Sequence, residues 1–598
     1  MRRFLPVGPV LLGALAALVA APALTAGCVG RTELEVIPRD AGSDAPVDAA
    51  PEAGPPPIKT ATTVDLLLVV DDSPNTENFQ SLLAATVPYL VGRFAQPACV
   101  NGLGNVVATT ATVSAPCPDG QREFQPVNDV HLGVVTSSLG GHGADSCSPA
   151  SPFWNVTQND AAHLLTRGPA GTVVPTYGSL GFLAWDPSQK DVPPGESDLG
   201  ALGADLADLI TGAGAQGCGF EATLESMYRF LVDPEPYLTL PVIAGLATPT
   251  DTDTTVLQQR ADFLRPTSAL EVLIITDEDD CSTIDSNENY LSLQALDPSN
   301  PSQAFHLPPP RAECAQNPAD PCCASCGQAT PAGCPTDPSC AVLLDETTDP
   351  INLRCFDQKR RFGIDFLYPV QRYIDGLTEL QVARRDGTLV PNPLYTGNRS
   401  PELVMVTGIV GVPWQDVAKA PKSLATGYQP ADEIDWGLIV DDPAKGTLPS
   451  DPLMIKSVTP RTGVNPPTGL ALAPPGSALL ANAINGHERA IAEGDDLQYA
   501  CVYARPTPVT CTANPCNCVG PDLQDNPVCQ AMDGTYGTTE FYARALPSTR
   551  ILHVLQGLGT RATVASVCAE ITADATTPTY AYKPAVDAML RTLRPRLQ

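Results

Sequence analysis

The sequence predicts an α/β fold, a doubly wound, mostly parallel sheet carrying long, disulfide-rich insertions. Three observations support this. Short apolar runs recur with almost no polar interruption, as expected of strands buried on both faces. Amphipathic helical patterns lie between and after them, which makes an α/β layering. Finally, the stretches separating these elements are unusually long, and most of the chain's 19 cysteines cluster within them.

The first strand is the run at 64–70, which ends in Asp71-Asp72-Ser73. Runs of the same character stand at 130–136, 271–277 and 403–410, and the chain returns to the sheet at 563–568. Helices are expected over 202–210, 220–231, 362–377 and 586–597. In the second of these, Phe220, Leu224, Met227 and Leu231 share one face, and Glu221 falls in a first turn, where the helix dipole favours an acid. The excursions cover about 60 residues after the first strand, then 284–360 and 412–560. Loops of that length are uncommon unless functional or separately stapled.

The N-terminus reads as an export signal. Arg2 and Arg3 precede an uncharged run from Phe4 to Ala26 that contains Pro6, Pro9 and Pro22 and lacks a charged stop-transfer flank. Leu24-Thr25-Ala26-Gly27-Cys28 resembles the bacterial lipobox, with Thr25 where Leu is usual. That resemblance implies a signal peptide over 1–27, lipidation at Cys28 and a membrane anchor. Val29 in place of Asp after the cysteine implies the outer membrane, facing the periplasm or the surface; plain secretion is the alternative. Residues 28–60 have almost no large apolar side chains and read as a disordered tether to a domain spanning 61–598.

Setting Cys28 aside leaves an even number of cysteines in an exported chain, so oxidised pairs are expected, with connectivity open. Cys323 and Cys326 have a spacing that zinc sites also use, but no histidine pair and no second such motif accompanies them. Composition narrows the partners. With 35 Lys+Arg against 66 Asp+Glu, the net charge of −31 repels nucleic acid. At 43% hydrophobic, the chain still has enough apolar residues for a core.

In an open α/β sheet, ligands bind at the carboxyl ends of the strands, where strand order reverses. If the 64–70 and 271–276 strands are neighbours, Asp71 and Asp277 share that crevice, with Ser73 and Asn75 on the Asp71 loop. Oxygen donors of this kind suit Mg²⁺, Mn²⁺ or Ca²⁺. The alternative is that they only cap strand ends and a helix start. The acid run at 277–280 could itself hold Ca²⁺ as a brace, or be a solvated loop.

With these residues the chain resembles von Willebrand factor A-type domains, whose metal-ion-dependent adhesion site uses Asp-x-Ser-x-Ser, a Thr from a second loop and a strand-end Asp. Here Asn75 replaces the second Ser and Cys218 stands at the Thr position. It is also similar to cysteine-rich secreted members from predatory soil bacteria, through segments 217–221, 276–282, 353–357 and 564–568. The resemblance implies a cation at Asp71, Ser73, Asn75 and Asp277 whose last position an acidic side chain of a partner would fill. The function expected is therefore non-enzymatic binding or adhesion at the cell surface, to a protein or other surface ligand. A metal-assisted hydrolase and a metal-free scaffold are the alternatives. Gly212, Gly214 and Gly217 fit a dinucleotide motif but follow a helical pattern, which is the wrong context. Of six scattered histidines, only His142, in a glycine-rich loop, lies near a strand end.

Overall fold

Each expected run folds as a fully buried strand: β1 (Val64–Val70), β2 (Val130–Thr136), β4 (Ala269–Ile275), β5 (Val404–Val410) and β6 (Ala562–Ser566). This computed structural model describes residues 59–597 apart from 103, 151–155, 443–444 and 513–515. The expected signal peptide, Cys28 and the tether up to 58 lie outside the described residues. A short strand absent from the sequence expectations, β3 (Phe182–Trp185), joins the edge antiparallel to β2. The sheet order is β3-β2-β1-β4-β5-β6, and all pairings but that of β3 are parallel. Order therefore reverses between β1 and β4, which pair from Val64 with Ala269 to Val70 with Ile275.

Helices cover the sheet in two groups. The first comprises α1 (Glu77–Ala95), α2 (Leu199–Gly212) and, at the chain's end, α7 (Lys583–Leu593). The second comprises α3 (Thr223–Leu231), α4 (Thr254–Phe263), α5 (Gln371–Thr378) and α6 (Thr549–Leu558). Helix α2 buries Leu202, Leu206, Leu209 and Ile210 at helical spacing, and Asp198 caps it by accepting from the Gly200 and Ala201 amides.

Several expectations need correction. The helix expected over 362–377 is two pieces, Gln358–Phe362 and Gln371–Thr378. Gly363 ends the first in the left-handed region (φ 75°), and Pro369 keeps the intervening chain extended. The helix expected over 220–231 starts only at Thr223, so Glu221 precedes it on a loop and does not sit in a first turn. The last helix runs Lys583–Leu593, and Pro595 turns its continuation into one 3₁₀ turn. The excursion after β1 contains α1 and, beyond it, a small three-stranded sheet stapled by Cys99–Cys117. The insertion expected to reach 560 stops sooner, because α6 already packs on β5 and β6.

All 18 cysteines other than Cys28 are paired, and Cys323 and Cys326 bond to Cys314 and Cys340 and not to each other. Six of the bonds close short local loops. The other three, Cys147–Cys218, Cys281–Cys355 and Cys501–Cys568, span 71, 74 and 67 residues and tie loops to the carboxyl ends of β2, β4 and β6. The end of the sheet where a ligand would be expected is thus its most heavily stapled part. By loop-closure entropy a staple of that span stabilises by about 4 kcal/mol. Replacing Cys501 and Cys568 together by alanine should cost that amount in a denaturant titration. The same change at Cys511 and Cys516, which span 5 residues, should cost clearly less.

Candidate functional site

The register of β1 with β4 delivers Asp71 and Asp277 to one place. The Asp71 amide donates to the Ile275 carbonyl (3.0 Å), so both chains leave the sheet side by side. Asp71 is fully buried and both its oxygens are engaged. Oδ1 accepts from the Ser73 amide (2.9 Å) and the Ser137 hydroxyl (3.2 Å), and Oδ2 from the Thr276 hydroxyl (2.6 Å). Ser73 is buried beside it. Asn75 occupies the turn into α1 with φ 76°, its carbonyl accepting from the Asn78 amide side chain. The helix start is Thr76, so neither Ser73 nor Asn75 is the N-cap.

Asp72 shares the Ser137 hydroxyl, just past β2, with Asp71. Its Oδ1 lies 3.1 Å from the Ser137 hydroxyl, which has a single proton for two carboxylates, and its Oδ2 has no partner. Burial, then Asp160 and Asp71, push the Asp72 carboxyl well above its usual range, so a proton it retains completes the chain Asp72–Ser137–Asp71. Gly217 is required here, because a Cβ would stand 2.4 Å from the Asp72 carboxyl carbon.

On the β4 side, the acid run is bound by the chain's own cations. Arg544, from the hairpin formed by Cys501–Thr510 and Thr539–Ala545, reaches Asp277 Oδ2 (3.5 Å) and Glu278 Oε1 (2.5 Å). Lys456 pairs with Asp279, and Arg550 Nε with Asp280 Oδ2 (3.2 Å). The insertion's return strand is laid on the same edge. The Leu546 amide donates to the Asp277 carbonyl (2.7 Å), and the Ser548 hydroxyl to the Glu278 carbonyl (2.6 Å). Gly411, just past β5, permits this approach, since a Cβ there would lie 1.8 Å from the Leu546 carbonyl oxygen.

Glu221 completes the cluster and was not anticipated as part of it. It is 3% exposed, and burial, then Glu278, Asp71 and Asp277, raise its carboxyl well above the usual range. Asp277 is likewise raised, by burial first, with Arg544 pulling it down and Glu278 and Asp71 pushing it up. Burial also raises Asp71. Asp71, Glu221 and Asp277 are thus all held above the usual carboxyl range, and the one guanidinium at the cluster, Arg544, pairs with Asp277 and Glu278. Ser137, Thr276 and Arg544 were missed for a related reason. The first two are ordinary residues one step past a strand, and Arg544 lies 267 positions from Asp277.

A divalent cation needs free oxygens converging on one point. Cys218 is bound to Cys147 and offers no ligand. Among the described residues, the group of three acid, thiol or imidazole ligand atoms lying within 4.8 Å of one another is Cys511, Cys518 and Glu540, whose sulfurs are both in disulfides. No three of Asp71, Glu221, Asp277 and Glu278 gather so closely.

Compared with models of protein families, with curated proteins and with solved structures, the chain returns no match. Fold and site together define a class: an α/β protein with a six-stranded, mostly parallel sheet, a disulfide-stapled carboxyl edge, and strand-end acids paired to its own cations.

Proposed function

We propose that this is a surface-anchored binding protein of the von Willebrand factor A type in which the strand-end site has become an internal ion-pair lock. The switch point between β1 and β4 and the Asp71-x-Ser73 loop support the family reading. The observation that carries the lock is Arg544, a cation tethered by the insertion and set against Asp277 and Glu278. It supplies the positive charge a bound metal would bring and closes the crevice that a partner's acidic side chain would enter. Ligand contacts then fall to the stapled surfaces, and the protein acts as a metal-free binding scaffold held at the outer membrane through Cys28.

Two experiments test this. Calorimetric titration of the mature protein with Mg²⁺, Mn²⁺ and Ca²⁺ should give no saturable heat, and millimolar additions should leave its melting temperature unchanged. Saturable binding that Asp71→Asn abolishes would restore the adhesion-site reading. Cys28→Ala should move the protein from the membrane fraction to the soluble one; retention in the membrane would refute the lipid anchor.

A further inference from the structure

A second polar cluster lies in the glycine-rich loop after β2, separate from the crevice, and it does not depend on the reading above. His142 is 2% exposed. Its Nδ1 lies 2.5 Å from Asp285 Oδ1, and the Tyr237 hydroxyl donates to the same oxygen (3.2 Å). With Nδ1–H donating to the carboxylate, the other nitrogen, Nε2, faces away from Asp285, and it has no partner. Arg229, on α3 and 3% exposed, is fixed at two of its three nitrogens. Its Nε donates to the Ala161 carbonyl (2.9 Å), and its Nη2 to the Tyr237 carbonyl (2.6 Å) and to Asp253 (3.2 Å). The Tyr237 ring holds the guanidinium from the side, 4.5 Å from its centroid. The third nitrogen, Nη1, has no partner.

Both residues line one pocket of about 240 Å³, together with Leu139, Asn159, Ala161 and Leu240. A buried, unpaired donor costs roughly 1–3 kcal/mol, more when charged, so two at one pocket need a reason. The backbone around them is also strained. His142 (φ 50°), Ala161 (φ 50°) and Ala162 (φ 62°) all stand in the left-handed region, which costs a non-glycine residue free energy unless something over-determines it. Burial opposes a charge on His142, but Asp285, backed by Glu225 and Asp280, outweighs it and holds the imidazole above its usual range. Protonated, it presents Nε2 as a donor. The pocket then offers two cationic donors and an apolar wall.

We propose that this pocket binds a carboxylate, whose oxygens accept from His142 Nε2 and Arg229 Nη1 while the apolar part of the ligand lies against Leu139 and Leu240. Both nitrogens are buried although their residues line the pocket, so entry requires a small shift of the loop carrying Gly140, Gly141 and Gly143. The carboxylate could belong to a free short-chain acid or to the C-terminus of a peptide, and the probes separate these sources.

The test uses the full mature protein with its histidines carbon-13 labelled. Six histidines give a readable spectrum. Sodium isovalerate and acetyl-leucyl-leucine acid are titrated between pH 5.5 and 8.5, with acetyl-leucyl-leucine amide as control. The expected result is a saturable shift of the His142 signal with an acid probe and none with the amide. Affinity should weaken as pH rises through the imidazole titration, in which Asp285, Glu225, Asp280, Tyr237 and Arg229 are the groups facing the ring. Saturation by isovalerate assigns the site to free acids, and saturation by the peptide acid alone assigns it to chain termini. His142→Asn suits the left-handed backbone and should weaken binding about 10- to 100-fold, the loss of one charged hydrogen bond. The proposal is overturned if neither acid shifts His142 at 20-fold excess over about 1 mM protein, or if His142→Asn binds as well as the native chain.

Discussion

Arg544→Ala should lower the unfolding free energy by about 3–5 kcal/mol at pH 8, the cost of leaving buried charge without its partner. Asp277 and Glu278 would lose their cation in a cluster that already includes Asp71 and Glu221. The effect should be smaller at pH 5. Without the guanidinium the raised carboxyls simply keep their protons, and protonated acids need no counter-charge. The sign follows from the direction of the shifts. Groups whose folded-state affinity for protons is raised contribute stability at low pH and lose it as pH rises through their folded-state titration. Adding Asp277→Asn and Glu278→Gln to Arg544→Ala should restore most of the loss, with a coupling of more than 1 kcal/mol in the cycle. Denaturant titrations at the two pH values read all of this. Limited proteolysis should also cut the 412–548 insertion faster in Arg544→Ala, because the insertion then loses its ion pairs to Asp277 and Glu278 and keeps the Leu546 and Ser548 hydrogen bonds, the Lys456 pair and the Cys501–Cys568 disulfide. Equal stability of Arg544→Ala and the native chain at pH 8 would remove the lock.

The strands were legible because parallel sheet buried on both faces leaves a plain signature. Leu66 to Val70 and Val272 to Ile275 have no polar side chain to alternate with. Adjacency of β1 and β4, and with it the meeting of Asp71 and Asp277, was a condition the sequence left open, and the parallel register of the two strands supplies it. Helix α1 was not read as a helix. Its buried Phe79, Leu82, Leu83, Val87, Leu90, Val91 and Phe94 have helical spacing, but Pro88 stands in the middle of it and the stretch lies in a long excursion. Strand β3 is four residues long, too short for a periodicity. The lock itself could not be foreseen. The hairpin that carries Arg544 alternates only weakly, with exposed Pro506 and Val509 beside buried Cys501 and Tyr503. Its placement over the crevice depends on Gly411 and on a disulfide to Cys568, and neither fact is local to Arg544.

The other large effect belongs to Glu271, an acid inside the sheet. It lies on β4, fully buried. The Thr407 hydroxyl of β5 donates to its Oε1 (2.6 Å), and its Oε2 has no partner. Burial pushes the carboxyl up to about 8 from 4.5, against the pull of Thr407 and, more weakly, Arg596. At neutral pH the native side chain is therefore protonated, while the unfolded chain ionises it. This contribution is fully present below about pH 4.5 and is lost as pH rises through about 8. The slope from one such group is about 1.4 kcal/mol per pH unit. Glu271→Gln keeps an acceptor for Thr407 and cannot ionise in either state. The native protein should therefore lose stability relative to Glu271→Gln by on the order of 3 kcal/mol between pH 5 and pH 7.5, whatever constant offset the amide adds. Melting or denaturant curves of both proteins across that range measure the difference of slopes. Parallel curves would show that Glu271 is ionised in the folded sheet, held by a counter-charge such as Arg596, and would return the polar centre of β4 to the ion pairs.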